Sequence, residues 1–150
     1  MKTLEFRPEL RPEEIRRGLA LHLSPNELVD QGLVAVRLAL RASATRDKHY
    51  FICVQQANTS AVFVPCSSRI EDSRVPLAIG EKRGHEHWIM PPTFVIVNQI
   101  WTVELDALLR CIGSDFSRPG RRNTVVFRAM PKIDAGLVRA FGYDPLKGAA

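Results

Sequence analysis

The chain has no apolar run near the ~20 residues needed to cross a bilayer, so no membrane association is expected. Its opening stretch, MKTLEFRPELRPEEIRR, carries early charges and two prolines where a secretory leader would have its apolar core, which points to a cytoplasmic location. Cysteine is scarce: Cys53, Cys66 and Cys111 are odd in number and lie in apolar runs without C-x-x-C or Cys/His ligand spacing, so they read as buried reduced thiols. No glycine-rich phosphate loop occurs, which removes P-loop nucleotide hydrolysis. In GHEHW, His85 and His87 would share one face of a strand, as a metal site requires, but two ligands do not make a site; no metal or other cofactor is expected. There is no internal repeat and no low-complexity segment.

What remains is enough for one domain. The 150 residues are 45% hydrophobic and 25% charged, as in ordinary globular proteins, with a net charge of +5. That balance favours a polyanionic or acidic partner, either nucleic acid or an acidic protein.

Residues 12–22 place a proline and two glutamates in a first turn and follow them with Ile15, Leu19 and Leu23, predicting a short amphipathic helix. Ser24, Pro25, Glu27 and Gly32 predict a second, shorter one. Residues 1–30 are therefore expected to form a helical extension of a single domain whose body is 31–150. The period then changes to two: Val34, Val36, Leu38 and Leu40 fall on one face of a strand and Arg37 and Arg41 on the other. HYFICVQQ, ANTS and AVFVPC predict a hairpin, and VPLAI a short strand within a polar, basic segment. HEHWIMPP, TFVIVNQIWTV and TVVFRAM predict further extended runs. ELDALLRCI predicts a short helix ending at Gly113, and a last helix covers about 132–141, ending near Gly142. Inside TFVIVNQIWTV, Asn98 and Gln99 mark where a strand stops and bends, their amides satisfying backbone groups freed by the bend. Five or six short strands with brief helices predict a mainly β, α+β fold: a small, strongly curved sheet or partly open barrel.

The chemistry-bearing residues gather in loops. Arg46, Lys48 and His49 precede one strand, and Ser67, Ser68 and Arg69 follow the next. Lys82 and Arg83 sit in one long loop, and Arg118, Arg121 and Arg122 in another. Loops at one end of a curved sheet converge, which would set hydroxyls, an imidazole and cations beside a phosphate backbone; the alternative is a solvated rim. Trp88, Trp101 and Tyr50 are candidates for stacking on unpaired bases, or else core and dimer-interface aromatics.

The order of elements over residues 31–113 resembles the MazF/PemK family of toxin endoribonucleases, carried by QGLVAVRL, HYFICVQQ, AVFVPCSS and FVIVNQIWTVELDALL. The resemblance implies a small SH3-like, partly open barrel, a homodimer, a cognate antitoxin protein, and metal-independent cleavage of single-stranded RNA through attack by the 2′-hydroxyl. By position it makes Ser67 the family's hydroxyl residue at the end of the third strand. His49 falls where the family has the arginine of Arg-Pro, and this chain has no Arg-Pro there. The implied catalytic set is His49 as acid or base, Ser67 as a phosphate or 2′-hydroxyl contact, and Arg46 or Lys48 as the electrostatic clamp. Ser68, Arg69, Lys82, Arg83, Arg121 and Arg122 would bind the RNA. Two other readings share the fold: a gyrase-poison-like module, although the ending LKGAA lacks that group's Trp-Gly-Ile, and a catalytically inactive RNA-binding module.

Overall fold

A computed structural model describes residues 10–30, 32, 34–46, 49–110 and 121–147. Among these, a 3-10 turn at Pro12–Glu14 leads into β1 (Ala20–Leu23), α1 (Pro25–Asp30), β2 (Val34–Leu38), β3 (His49–Gln56) and β4 (Ser60–Ser67). Then come β5 (Val75–Leu77), β6 (Lys82–Arg83), α2 (Glu86–Ile89), β7 (Thr93–Val95), β8 (Gln99–Glu104), α3 (Leu105–Arg110), β9 (Thr124–Val125) and α4 (Met130–Phe141). The fold is mainly antiparallel sheet with a few short helices. Cys111, Lys48, Arg118 and the expected helix end at Gly113 lie outside the described residues.

The sheet grows from the β3–β4 hairpin, whose turn is closed by the Ala57 N–H donating to the Ser60 carbonyl at 2.8 Å. HYFICVQQ is nearly continuously apolar because both faces of β3 are covered, not one. Ile52 and Val54 enter one core with Val64, Trp88, Ile133 and Leu137, while Phe51 and Cys53 enter a second with Phe63, Trp101, Leu28 and Leu108. α4 and α2 thus cover one face, and α1 and α3 the other. β1 extends the sheet beyond β3, and β4 forks on its other edge, pairing with β8 through Ser60–Phe63 and with β7 through Cys66 and Ser67. Among the described residues β2 and β5 have one partner each.

The fork has a cause in the sequence. Between the pairs Phe63↔Trp101 and Cys66↔Val95, the residues Val64 and Pro65 of β4 face the longer stretch 96–100. The Pro65 carbonyl accepts from the Ile96 N–H at 2.8 Å, so the proline nitrogen faces the same edge and has no hydrogen to offer. A ladder cannot continue past it, and the opposing chain bulges at Val97 and Asn98.

Three expectations need correction. The helix over residues 12–22 is a 3-10 turn followed by β1, which pairs Ala20 with Ile52 and Leu23 with His49, so the segment before residue 31 is not wholly helical. Gly18, at φ +96, turns the chain into the sheet and donates its N–H to the Cys53 carbonyl; pairing along β1 outweighs the helical spacing of the leucines. HEHWI is not extended: Glu86–Ile89 are helical behind the N-cap His85, whose Nδ1 accepts the His87 N–H, and Trp88 is buried with its indole donating to the Thr124 carbonyl. TVVFRAM keeps only β9 extended, and Pro131 sits in the first turn of α4, where its missing donor is harmless. That helix ends at Gly142 as expected. No helix among the described residues is long and apolar enough to cross a membrane.

Candidate functional site

The predicted site residues separate into two places. The first is the open end of the β3–β4 hairpin. His49, the first residue of β3, and Ser67, the last of β4, both lie at this end, each two residues beyond Phe51↔Pro65, the last pair of their shared ladder. His49 is half-buried and pairs with Leu23 of β1. The half-buried Ser67 accepts the Arg69 N–H at 3.1 Å through its Oγ, which leaves the hydroxyl proton for another acceptor. Arg69 and Ser68 are exposed, and the Arg69 carbonyl accepts from Arg74 at 2.8 Å, clipping the loop.

Arg46 is exposed on the loop before β3, and that loop is held by a residue whose role the sequence disclosed only in part. The Gln99 side chain, 3% exposed, donates to the Ser43 carbonyl at 2.8 Å and accepts from the Thr45 N–H and the Trp101 indole, each at 3.1 Å. Its amide therefore satisfies backbone groups, but those of the neighbouring loop and not those of the bend. The Asn98 Oδ1 is buried without a hydrogen-bond partner among the described residues, so its expected service to the bend is not observed.

The second place is a cleft of about 460 Å³ lined by Glu14, Arg16, Arg17, Arg83, Gly84, Arg121 and Arg122, with Leu19 just before β1 and Thr124 of β9. Arg122 grips Glu14 with Nε and Nη2 at 2.8 and 3.1 Å, and Arg17 grips Asp134 with both of its terminal nitrogens while donating to the Val54 carbonyl at 3.1 Å. The donation from Arg122 holds the Glu14 carboxyl below its ordinary pKa, against the opposing push of burial. A carboxylate depressed in the folded state contributes stability above its unfolded value of about 4.3 and loses it as pH falls through the lower folded value. Glu14→Gln is thus expected to be less stable than wild type near neutrality, with the gap narrowing below about pH 4 in chemical denaturation. Removing Asp134 alone leaves the Arg17 cation, 21% exposed, without its carboxylate, and Asp134→Ala is expected to destabilise by about 3 kcal/mol. The double replacement Arg17→Met with Asp134→Leu should recover most of that loss in the same urea titrations.

Lys82 belongs to neither place. It is 2% exposed, donates to the Pro91 carbonyl and Thr93 hydroxyl at 2.7 and 2.8 Å, and lies over the Trp88 ring; burial lowers its pKa. It stands on β6, not in a loop, and presents no cation to a ligand. Trp88 and Trp101 are likewise buried, which removes them as stacking platforms, and Tyr50 packs between His22 and Trp88. Cys53 and Cys66 are buried free thiols; burial pushes the first up to about 12 and raises the second, so neither is a nucleophile near neutrality. No family model matches the chain, and comparison with characterised proteins gives no match in sequence.

Proposed function

We propose that this chain is the toxin component of a type II toxin–antitoxin pair, a metal-independent endoribonuclease acting on single-stranded RNA from a small SH3-like, partly open barrel of the MazF/PemK kind. One observation carries the reading: β3 begins at an imidazole, His49, and the antiparallel β4 ends at a hydroxyl, Ser67, so both stand at the open end of the hairpin, where the loop that leads into β3 is held by Gln99 and carries Arg46. In the reaction, the RNA 2′-hydroxyl loses its proton and its oxygen bonds to the adjacent phosphorus. The bond to the 5′-oxygen breaks, and that oxygen takes a proton, leaving a 2′,3′-cyclic phosphate and a 5′-hydroxyl. His49 would transfer one of these protons, the Ser67 hydroxyl would donate to a phosphate oxygen, and Arg46 or Lys48 would offset the charge of the crowded phosphorane. A homodimer and an antitoxin that covers the basic surface complete the proposal. A catalytically inactive RNA-binding module is the second reading, favoured by the arginines standing in a cleft of their own while no arginine occupies the Arg-Pro position.

Incubating the purified chain with single-stranded RNA in excess chelator separates the two. Cleavage to cyclic-phosphate ends, lost in His49→Ala, supports the enzyme. Binding without cleavage supports the second reading, and neither binding nor cleavage removes both.

A further inference from the structure

The arginine cleft is built largely from parts of the chain outside the region that resembles the toxin family. Glu14, Arg16 and Arg17 come from before it, and Arg121 and Arg122 from after it. Arg17 and Arg122 are each spent on a carboxylate, which fixes them as walls. Arg16, Arg83 and Arg121 are exposed and carry the excess charge; Arg83 is steadied by the Gly80 and Lys82 carbonyls at 3.1 and 3.2 Å. Among the described residues that line the cleft none is aromatic, so the recognition they offer is ionic and not stacking. Guanidinium forks do match phosphate oxygens, and contacts of that kind position a strand without reading it.

We propose that this cleft holds the phosphodiester backbone of single-stranded RNA as an anchoring site apart from the hairpin end. The inference rests on the RNA reading above but not on the cleavage chemistry. Leu19 lines the cleft, and Leu23, four residues further along the chain, pairs with His49. That is about 13 Å of extended chain at ~3.3 Å per residue, so a strand of a few nucleotides can be gripped at one place and presented at the other.

The test measures binding of a fluorescein-labelled oligouridylate over a potassium chloride series, in a His49→Ala background so that the probe stays intact. Adding Arg16→Gln, Arg83→Gln and Arg121→Gln is expected to weaken binding at least about tenfold at low salt. The slope of log affinity against log salt should fall by about 2, from ~0.7 per single-strand phosphate lost. Should Arg83→Gln disturb the fold, as a thermal melt would show, Arg16→Gln with Arg121→Gln carries the same test with an expected fall of about 1.4. The Lys versions of these arginines should keep most of the slope. Unchanged affinity and slope in a folded variant overturns the anchoring site, whatever the chain does to RNA. An arginine-dependent slope in a chain that never cleaves leaves the site standing and removes the ribonuclease. Failure to bind RNA, with tight arginine-dependent binding of polyglutamate, overturns it in favour of an acidic peptide.

Discussion

Gly84→Ala is expected to lower the stability of the fold by about 4 kcal/mol, a large part of what a domain of this size has to lose. Gly84 sits at φ +127, a backbone region closed to residues with a Cβ, and strain of that kind costs about 1–3 kcal/mol. An added Cβ would also lie 2.2 Å from the Asn123 Oδ1 and 2.7 Å from the Asn123 Cα. The amide could rotate, but the Cα belongs to a fully buried residue whose carbonyl accepts the Ala20 N–H, so the backbone must move, adding about 1–3 kcal/mol. The same shift would break the bond from the His85 N–H to Asn123 Oδ1, loosen the residue that caps α2, and displace one wall of the arginine cleft. Urea denaturation should show a lower midpoint at an unchanged slope. A Gly84→Ala protein within about 0.5 kcal/mol of wild type would mean that the Gly84–Asn123 contact is not as close as described.

Where local grammar and long-range pairing agree, the fold was legible in the chain. HYFICVQQ and AVFVPC are β-branched and aromatic, a short polar turn joins them, and they form the central hairpin, β3 with the expected ends and β4 one residue longer at each end. α4 was legible from its spacing and the glycine that stops it. The segment before residue 31 was not, because leucines at helical spacing also alternate as ALHL, and only pairing with β3 selects the strand. HEHW was misread for a related reason: the backbone of its capping residue, His85, is held by Asn123, 38 positions away, which no local pattern announces. The basic residues were legible as a set but not as an arrangement. Lys82 and Arg83 are adjacent in sequence, yet strand alternation buries one and exposes the other. Arg16 and Arg17 lie in the segment whose spacing predicts a short amphipathic helix, and a signal was there in the doubled arginine ahead of Gly18. Gln99 was singled out for its oddity in an apolar run, but its partners Ser43 and Thr45 lie more than fifty residues upstream.

His49→Ala is expected to reduce RNA cleavage by about a hundredfold to ten-thousandfold, the range that separates a positioned proton donor or acceptor from none. Ser67→Ala should lose about a hundredfold, as when one preorganised donor to a developing oxyanion is removed. The serine change also frees the Arg69 N–H that its Oγ accepts, so a structural and a chemical effect must be told apart. Ser67→Thr does this, because it keeps the hydroxyl and its turn; recovery of most of the rate in Ser67→Thr, with a melting temperature unchanged in all three variants, assigns the loss to chemistry. Both alanine variants should depress kcat while leaving affinity for a long RNA nearly intact, since the arginines of the cleft are untouched in them. The opposite split, a raised KM at constant kcat, would make His49 and Ser67 binding residues only and move the reacting phosphate elsewhere. Equal rates for wild type and both alanine variants would show that any nuclease activity in the preparation belongs to another site or another protein.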